Sequence, residues 1–290
     1  MTDTENLIKQ VSSLSYRERR LFLFGSQRNK SESTRQRFLY KYANLNHPNR
    51  LRDVLLDSKL WFSSPNAFND PFDSRWKTEI SSNPTEVRLK ITQIMKDHPD
   101  LSPKGWKARE QKVFELMRDR SELLKLVEDS SRNNVEEAGV LCLTSEPRSI
   151  LMWSHYSDHH KGIAFQFELA KDVRFFIRAV SVRYSKIYPV RNWTDSDNTY
   201  LKNALFRKFE DWEYEKEKRI LIPGYANNYS KFNPTALTGI LLGAKFTDYP
   251  WLYSVLKERT ERYGGDQLKI YSASQSNDSY KLSFNRVLGN

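Results

Sequence analysis

The sequence GVLCLTSEPRSILMWSHYSDHHKGIAFQFEL, residues 139–169, is the stretch around which we expect the chain to fold. Small and apolar residues over 139–144 predict a buried strand, and Pro147 then interrupts the run. Residues 150–157 have the spacing of a short helix, and 162–167 alternate like a second strand. A strand, a short helix and another strand form a compact unit, so this stretch predicts the centre of the fold.

The composition predicts a folded, cytoplasmic protein. The chain has 290 residues, of which 38% are hydrophobic and 13% aromatic, enough to build a core and to exclude general disorder. No apolar run approaches the roughly 20 residues that cross a bilayer, and the polar N-terminus is unlike a signal peptide. A single cysteine, Cys142, excludes an internal disulfide and any multi-cysteine metal site.

The net charge of +11 favours an encounter with polyanions such as nucleic acid. The excess is diffuse, and no long tract of Lys and Arg is present. A solvated basic surface without a ligand explains the charge equally well. Charge alone therefore leaves the partner open.

The order of patterns predicts one α+β domain over residues 36–290, preceded by an N-terminal helical arm over 1–35. The amphipathic patch 17–24 makes the arm either a partner-binding element or a helix packed on the domain. Two helices over about 84–130 predict a helical insertion in a central mixed or antiparallel sheet. The further elements that we predict are strands at 38–43, 59–63, 174–184, 219–222, 237–244, 268–274 and 281–287, and helices at 48–55, 107–129, 200–212 and 251–263.

Glu215 and Glu217 are the first candidates for chemistry. Residues two apart on a strand point to the same face, so both carboxylates would act on one site. A carboxylate there can polarise a ribose hydroxyl or stabilise an oxocarbenium-like centre. The alternative is a solvated run of alternating charge, which is the commoner origin of such a sequence.

The histidines of the central stretch are the second candidates. On a helix, His155 and His159 would face the same side, as two metal ligands do, but no third ligand stands at a telling spacing. We therefore expect no metal site. A substrate-orienting role for His155 and a hydrogen-bonded surface role for His159 and His160 are the better interpretations.

The loop FNDPFD supplies the third candidates, Asn69, Asp70 and Asp73. Asn-Asp-Pro is a turn sequence in which the side chains cap their own backbone, and we interpret these residues as loop support. The alternative is that the carboxylates hold a divalent ion or a ribose. Cys142 lies in an apolar strand and is interpreted as a small buried hydrophobe.

Three motifs, in order after the strand LYKYA, carry a resemblance to a known family: FNDPFD, LCLTS…ILMWSHYSDHHKG and WEYEKEKRIL. Together they resemble the bacterial domain-of-unknown-function family numbered 2971, over about residues 38–244. That resemblance implies a fold and no reaction.

A more distant resemblance is to the ADP-ribosyltransferases, especially toxins that modify DNA. It implies an ADP-ribosyltransferase-like fold in which Glu217 is the catalytic glutamate and Glu215 assists, with NAD as substrate. The cofactor would be held by residues of the first strand and of the central helix: Tyr40, Lys41, Tyr42, Trp153, Ser154, His155 and Tyr156. The superfamily usually has an Arg or His on the first strand, and this chain departs from that pattern.

The leading hypothesis is therefore an ADP-ribosyltransferase-like enzyme that modifies a nucleic acid or protein acceptor, in toxin or phage-defence biology. The alternative is a non-enzymatic nucleic-acid-binding or regulatory module that uses the basic surface and exposed aromatic side chains. A second alternative is a metal-dependent nuclease built on His155, His159 and Asp70.

Overall fold

The computed structural model of the chain describes residues 3–19, 37–97, 103–116, 120–194, 197–264 and 268–287. The strands are β1 (Phe38–Ala43), β2 (Lys59–Phe62), β3 (Lys77–Glu79), β4 (Gly139–Thr144), β5 (Ile163–Glu168), β6 (Val180–Ser181), β7 (Arg183–Tyr184), β8 (Val190–Asn192), β9 (Arg207–Lys208), β10 (Glu217–Ile222), β11 (Asn228–Lys231), β12 (Leu237–Leu242), β13 (Lys269–Gln275) and β14 (Leu282–Arg286). The helices are α1 (Asp3–Ser13), α2 (Pro48–Leu55), α3 (Pro84–Asp97), α4 (Pro103–Leu116), α5 (Arg120–Glu136), α6 (Ile150–Tyr156), α7 (Val173–Phe176), α8 (Asp197–Leu205) and α9 (Pro250–Tyr263).

An eight-stranded sheet in the order β14-β13-β12-β5-β1-β4-β10-β6 forms the centre of the molecule. Neighbouring strands are antiparallel except β12 and β13, which α9 connects as a parallel pair. The predicted α+β class with a central mixed sheet is confirmed. The more specific ADP-ribosyltransferase-like fold stays a prediction.

One face of the sheet carries the larger apolar core. Alternate residues of β1, β4, β5, β10 and β12 pack there against α2 and α9, because side chains two apart on a strand share a face. The buried members from the five strands are Leu39, Leu141, Leu143, Ile163, Phe165, Phe167, Ile220, Leu237 and Ile240. These side chains form a continuous apolar layer that is removed from water.

The opposite face is covered by α6 and, further along, by α5 and α8. Tyr40 and Tyr42 of β1 pack there with Met152 and Trp153 of α6. The register of β10 on β4 aligns Glu217 with Thr144, so Glu217 lies on this second face. Glu217 and Arg219 therefore project to the covered side of the sheet, whereas Lys218 points to the other face and donates to the Ser181 hydroxyl at 2.8 Å.

Three predicted elements differ from the structure. Residues 107–129, predicted as one helix, belong to α4 and α5, with 117–119 outside the described residues. Residues 174–184, predicted as a strand, form α7 and the short β6 and β7, because Asp172 caps a helix by accepting a hydrogen bond from the Phe175 amide at 3.1 Å. Residues 200–212 were predicted as a helix, but α8 ends at Leu205 and is followed by β9 and the 3₁₀ turn Glu210–Glu215.

The N-terminal segment is attached at the end of β5. The buried carboxylate of Glu168 accepts a hydrogen bond from the Tyr16 hydroxyl at 2.7 Å and pairs with the Arg37 guanidinium at 2.9 Å. Residues 20–24 of the predicted amphipathic patch lie outside the described residues. Among the helices that the structure describes, none is long and apolar enough to cross a membrane.

Candidate functional site

Five charged side chains meet beneath the helical layer, and we call them the buried charge cluster. They come from the loop before β3, from β9, from the 3₁₀ turn and from β10, and each is at most 8% exposed. Its members are Asp73, Lys208, Glu215, Glu217 and Arg219. Charged groups are buried this completely only when they are paired with opposite charges, so we interpret the cluster as an integral part of the fold.

The local backbone explains how Glu215 and Glu217 come together. Glu217 and Arg219 share one face of β10 because they are two residues apart on a strand. Glu215 belongs to the 3₁₀ turn Glu210–Glu215 and not to the strand. Lys216 between them has left-handed dihedrals, φ 45° and ψ 45°, which turn the chain and point Lys216 outward while Glu215 points in.

Arg219 is the most connected member of the cluster. Its guanidinium meets Asp73 at 2.9 and 2.5 Å and Glu217 at 2.7 and 3.0 Å, a two-point contact with each carboxylate. It also donates to the Leu205 carbonyl oxygen at 2.8 Å. Bidentate contacts of this kind are the strong form of a protein ion pair. Arg219 therefore links the loop before β3, α8 and β10.

Lys208 is the second cation of the cluster. Its Nζ lies 2.7 Å from Glu215, 3.5 Å from Glu217 and 3.7 Å from Asp73. The same ammonium lies over the Trp212 ring, 4.7 Å from its centroid. Lys208 thus forms an ion pair with each of the three carboxylates of the cluster.

The two glutamates differ in their electrostatics. Burial alone would raise the pKa of Glu217, but the charges of Arg219 and Lys208 outweigh it and lower that pKa to about 2. Burial raises the pKa of Glu215, against the opposing effect of Lys208 and with the repulsion of Glu217 added. Three acids and two bases share the cluster, so its net charge is −1 when all five groups are ionised.

Tyr156 and Asn69 extend the cluster toward the surface. The Tyr156 hydroxyl donates to Glu215 at 2.6 Å, and burial together with that carboxylate raises the Tyr156 pKa. The Asn69 amide in turn donates to the Tyr156 hydroxyl at 3.4 Å. Five residues that the sequence singled out, namely Glu215, Glu217, Tyr156, Asn69 and Asp73, are thus brought together.

Three predicted cofactor-binding residues do not line a cleft. Trp153 is 0% exposed and donates from Nε1 to the Pro147 carbonyl oxygen at 2.8 Å. Tyr42 packs edge-on against Trp153 with ring centroids 5.0 Å apart, and Tyr40 is equally buried. The three rings fill the core under α6 and leave no open face for a nicotinamide, so their role as cofactor-binding residues stays a prediction that this burial does not favour.

Three other predicted cofactor residues have partners outside the buried charge cluster. Lys41 is half-buried and donates to the Cys142 carbonyl oxygen at 3.3 Å, and burial lowers its pKa. His155 is exposed beside the rings of Trp212 and Tyr214. The Ser154 hydroxyl lies 3.5 Å from His160 Nε2. None of these contacts involves Glu217.

The helical spacing behind the possible His155–His159 metal pair is not present. Helix α6 ends at Tyr156, and Asp158, His159 and His160 each have a positive φ, between 45° and 71°. His159 therefore sits on a left-handed turn and not one helical turn above His155. In the part of the chain that the structure describes, no three His, Cys, Asp or Glu side chains are grouped to hold a metal ion.

Lys208 and Arg219 are the cluster members that the sequence reasoning missed. For Arg219 a signal existed, since a residue two after Glu217 on a strand shares its face. For Lys208 none existed, because its segment was predicted as helix. The interpretation of EKEKR as a solvated run is wrong for Glu215, Glu217 and Arg219, which are buried, and holds only for the exposed Lys216.

Beside the cluster lies an open cavity of about 360 Å³ that we call the aromatic cleft. Its apolar side chains are Phe72, Ile187, Tyr188, Phe209 and Trp212, and its cations are Arg75, Lys186, Arg207 and Lys208. Phe72 is 65% and Ile187 74% exposed, unusual for large apolar side chains grouped on one surface. Asp70 is the one acid in the described wall, so the cleft is cationic.

Comparison with protein-family models, curated proteins and solved structures found no match to this chain. The resemblances to the bacterial family and to the ADP-ribosyltransferases stay predictions.

Proposed function

We propose that the protein is a binding module for single-stranded nucleic acid and that the aromatic cleft is its contact surface. The observation that carries the proposal is the grouping of exposed rings and cationic side chains around one opening of about 360 Å³. Grooves that bind single strands combine these two features, since phosphates need cations and bases need flat apolar partners.

The rings of the cleft suit unstacked bases. Phe72, Tyr188 and Phe209 are each more than 40% exposed, so a flat ligand reaches them without unfolding the surface. Base stacking on such rings contributes about 1–3 kcal/mol per base and tolerates any sequence. Bases inside a duplex have their faces covered by neighbouring pairs, so the rings favour a single strand over a double one.

Three of the four cations are available for phosphates. Arg75 and Lys186 are exposed and Arg207 is half-buried at the rim, whereas Lys208 is held by Glu215 at 2.7 Å. Lys186 lies 3.2 Å from Glu210, but a pair with side chains 73% and 41% exposed contributes little and yields to a phosphate. Arginine also stacks on bases through its guanidinium plane.

The test is the affinity of the purified chain for a fluorescein-labelled oligothymidylate of about a dozen nucleotides, measured by fluorescence anisotropy. Phe72→Ala is expected to weaken binding by about 1–3 kcal/mol because one stacking ring is lost. Tyr280→Ala is the matched control, since Tyr280 is 98% exposed and lies outside the aromatic cleft. Arg207→Ala, compared with Lys257→Ala on α9, tests the cationic contribution in the same way.

Two outcomes would contradict the proposal. One is the absence of saturable binding to the oligonucleotide by a chain that circular dichroism shows to be folded. The other is equal weakening by the cleft variants and their controls, which would place binding elsewhere on the basic surface.

The transferase hypothesis stays a prediction with its own test. The geometry supports it less, because Arg219 and Lys208 occupy both oxygens of Glu217 and neither glutamate lines the aromatic cleft. It predicts that calorimetry detects NAD binding and that Glu217→Gln abolishes NAD-dependent labelling while the fold is kept.

A further inference from the structure

A second cavity, of about 400 Å³, lies on the other side of the turn that carries Asp70. We call it the acidic cavity. Asp70 and Arg75 belong to the walls of both openings. The rest of its wall comes from the loop around Phe68 and from α5.

The charge of this wall is opposite to that of the aromatic cleft. Its carboxylates are Asp70, Asp73, Glu128 and Glu136, against the guanidinium groups of Arg75 and Arg132. Asp73 is neutralised from behind by Arg219. Both arginines are exposed, and Arg75 donates from Nε to the Pro71 carbonyl oxygen at 3.0 Å, whereas Glu128 and Glu136 are half-buried. The acidic cavity therefore presents a negative interior.

Asp70 gives independent evidence for a ligand. The residue is 8% exposed, and its Oδ1 accepts a hydrogen bond from the Phe72 amide at 2.8 Å. Its Oδ2 is enclosed and has no hydrogen-bond partner in the part of the chain that the structure describes. Burying a carboxylate oxygen without a hydrogen-bond partner costs free energy. A cation bound in the adjoining cavity would offset that cost, because electrostatic attraction is strong where the protein keeps the local dielectric constant low.

We propose that the acidic cavity binds an organic cation, an amine or a guanidine. Phe68 and Trp76 add aromatic faces to the wall, and such faces attract cations. The Phe68 ring already has the Arg219 guanidinium 5.1 Å from its centroid. The acids are spread over the wall and not grouped as metal ligands within the described residues, which favours an extended organic cation over a metal ion.

The experiment is calorimetric titration of the full chain with agmatine, spermidine and magnesium chloride in separate runs. Agmatine carries a guanidinium group, whereas spermidine carries only ammonium groups. The two runs therefore distinguish a preference for a guanidine from a preference for an amine. We expect saturable binding of at least one of them, weakened about tenfold or more in Asp70→Asn, which removes the charge and keeps the shape. Asp129→Asn is the matched control, because Asp129 is exposed on α5 and outside the cavity.

Failure of both organic cations to bind the folded chain would overturn the proposal, as would binding of magnesium alone. Equal affinity in Asp70→Asn and wild type would also overturn it. If Asp70→Asn does not fold, Glu128→Gln decides, with the same expected weakening. The proposal is independent of nucleic-acid binding, since oligonucleotide affinity and cation affinity are measured in separate titrations.

Discussion

At the scale of single residues, Glu217 and Arg219 show how far a buried charge depends on its partners. Each is almost fully removed from water, and each is compensated twice, Arg219 by two carboxylates and Glu217 by two cations. Because both ions lose their hydration on burial, such a pair contributes little to the net free energy of unfolding. Removing one partner is nevertheless severe, because it leaves the other charge buried and under-compensated.

Glu217→Gln is therefore expected to lower the free energy of unfolding by about 3–5 kcal/mol at neutral pH. The sign of the pH dependence follows from the Glu217 pKa of about 2, which is below the ordinary glutamate value of 4.5. The stabilisation by ionised Glu217 is complete above pH 4.5 and is lost as the pH falls toward 2. Urea denaturation of wild type and Glu217→Gln across this window measures both effects.

Glu213→Gln is the control for that experiment, because the Glu213 side chain is 64% exposed and its pair with Lys216 is 3.7 Å long. We expect it to leave stability nearly unchanged. A wild type whose acid sensitivity between pH 4.5 and 2 equals that of Glu217→Gln would contradict the assignment of the low pKa to Glu217.

At the scale of elements, the connection between the 3₁₀ turn and β10 determines the shape of the cluster. Lys216 occupies a left-handed conformation, which costs a residue with a side chain roughly 1 kcal/mol. The turn brings both Glu215 and Glu217 into contact with Lys208, although only Glu217 belongs to β10.

Lys216→Gly is expected to be more stable than Lys216→Ala by about 1 kcal/mol, since glycine adopts the positive φ without strain. Both variants remove the exposed contact with Glu213, so their difference isolates the backbone. Thermal and urea denaturation measure it. An alanine variant as stable as the glycine variant would show that the left-handed conformation is not kept in solution.

At the scale of the whole molecule, the net positive charge coexists with two openings whose walls have opposite charge. The chain carries +11 overall, yet two adjoining openings have opposite signs: the aromatic cleft is cationic and the neighbouring cavity acidic. One turn, with Asp70 and Arg75, separates them. Under the proposed function, the net positive charge attracts the nucleic acid from a distance and the aromatic cleft determines where the strand binds.

Oligonucleotide affinity is expected to fall with salt as phosphate contacts release counterions. With roughly three available cations in the cleft, the slope of log K against log salt should be about −2 for a single strand. Arg207→Ala should make the slope less steep by about 0.7. Anisotropy titrations over a range of sodium chloride concentrations measure it, and a flat response would argue against phosphate contacts.

The sequence by itself determined the elements whose signals are local. The alternation in β1, the apolar run of β4 and the pairing of β13 with β14 were all predictable, because a strand's period and its flanking turns are encoded within a few residues. Segment 174–184 was not, because a single capping aspartate outweighed its strand-like composition.

Only the tertiary structure decided which charges are buried and which residues share a site. Arg219 meets Asp73 across 146 positions of sequence, and Lys208 reaches three carboxylates from a segment predicted as helix. The rings of the aromatic cleft likewise come from separate segments. Such contacts depend on how the sheet and its covering layer assemble, and no local pattern records a partner that distant.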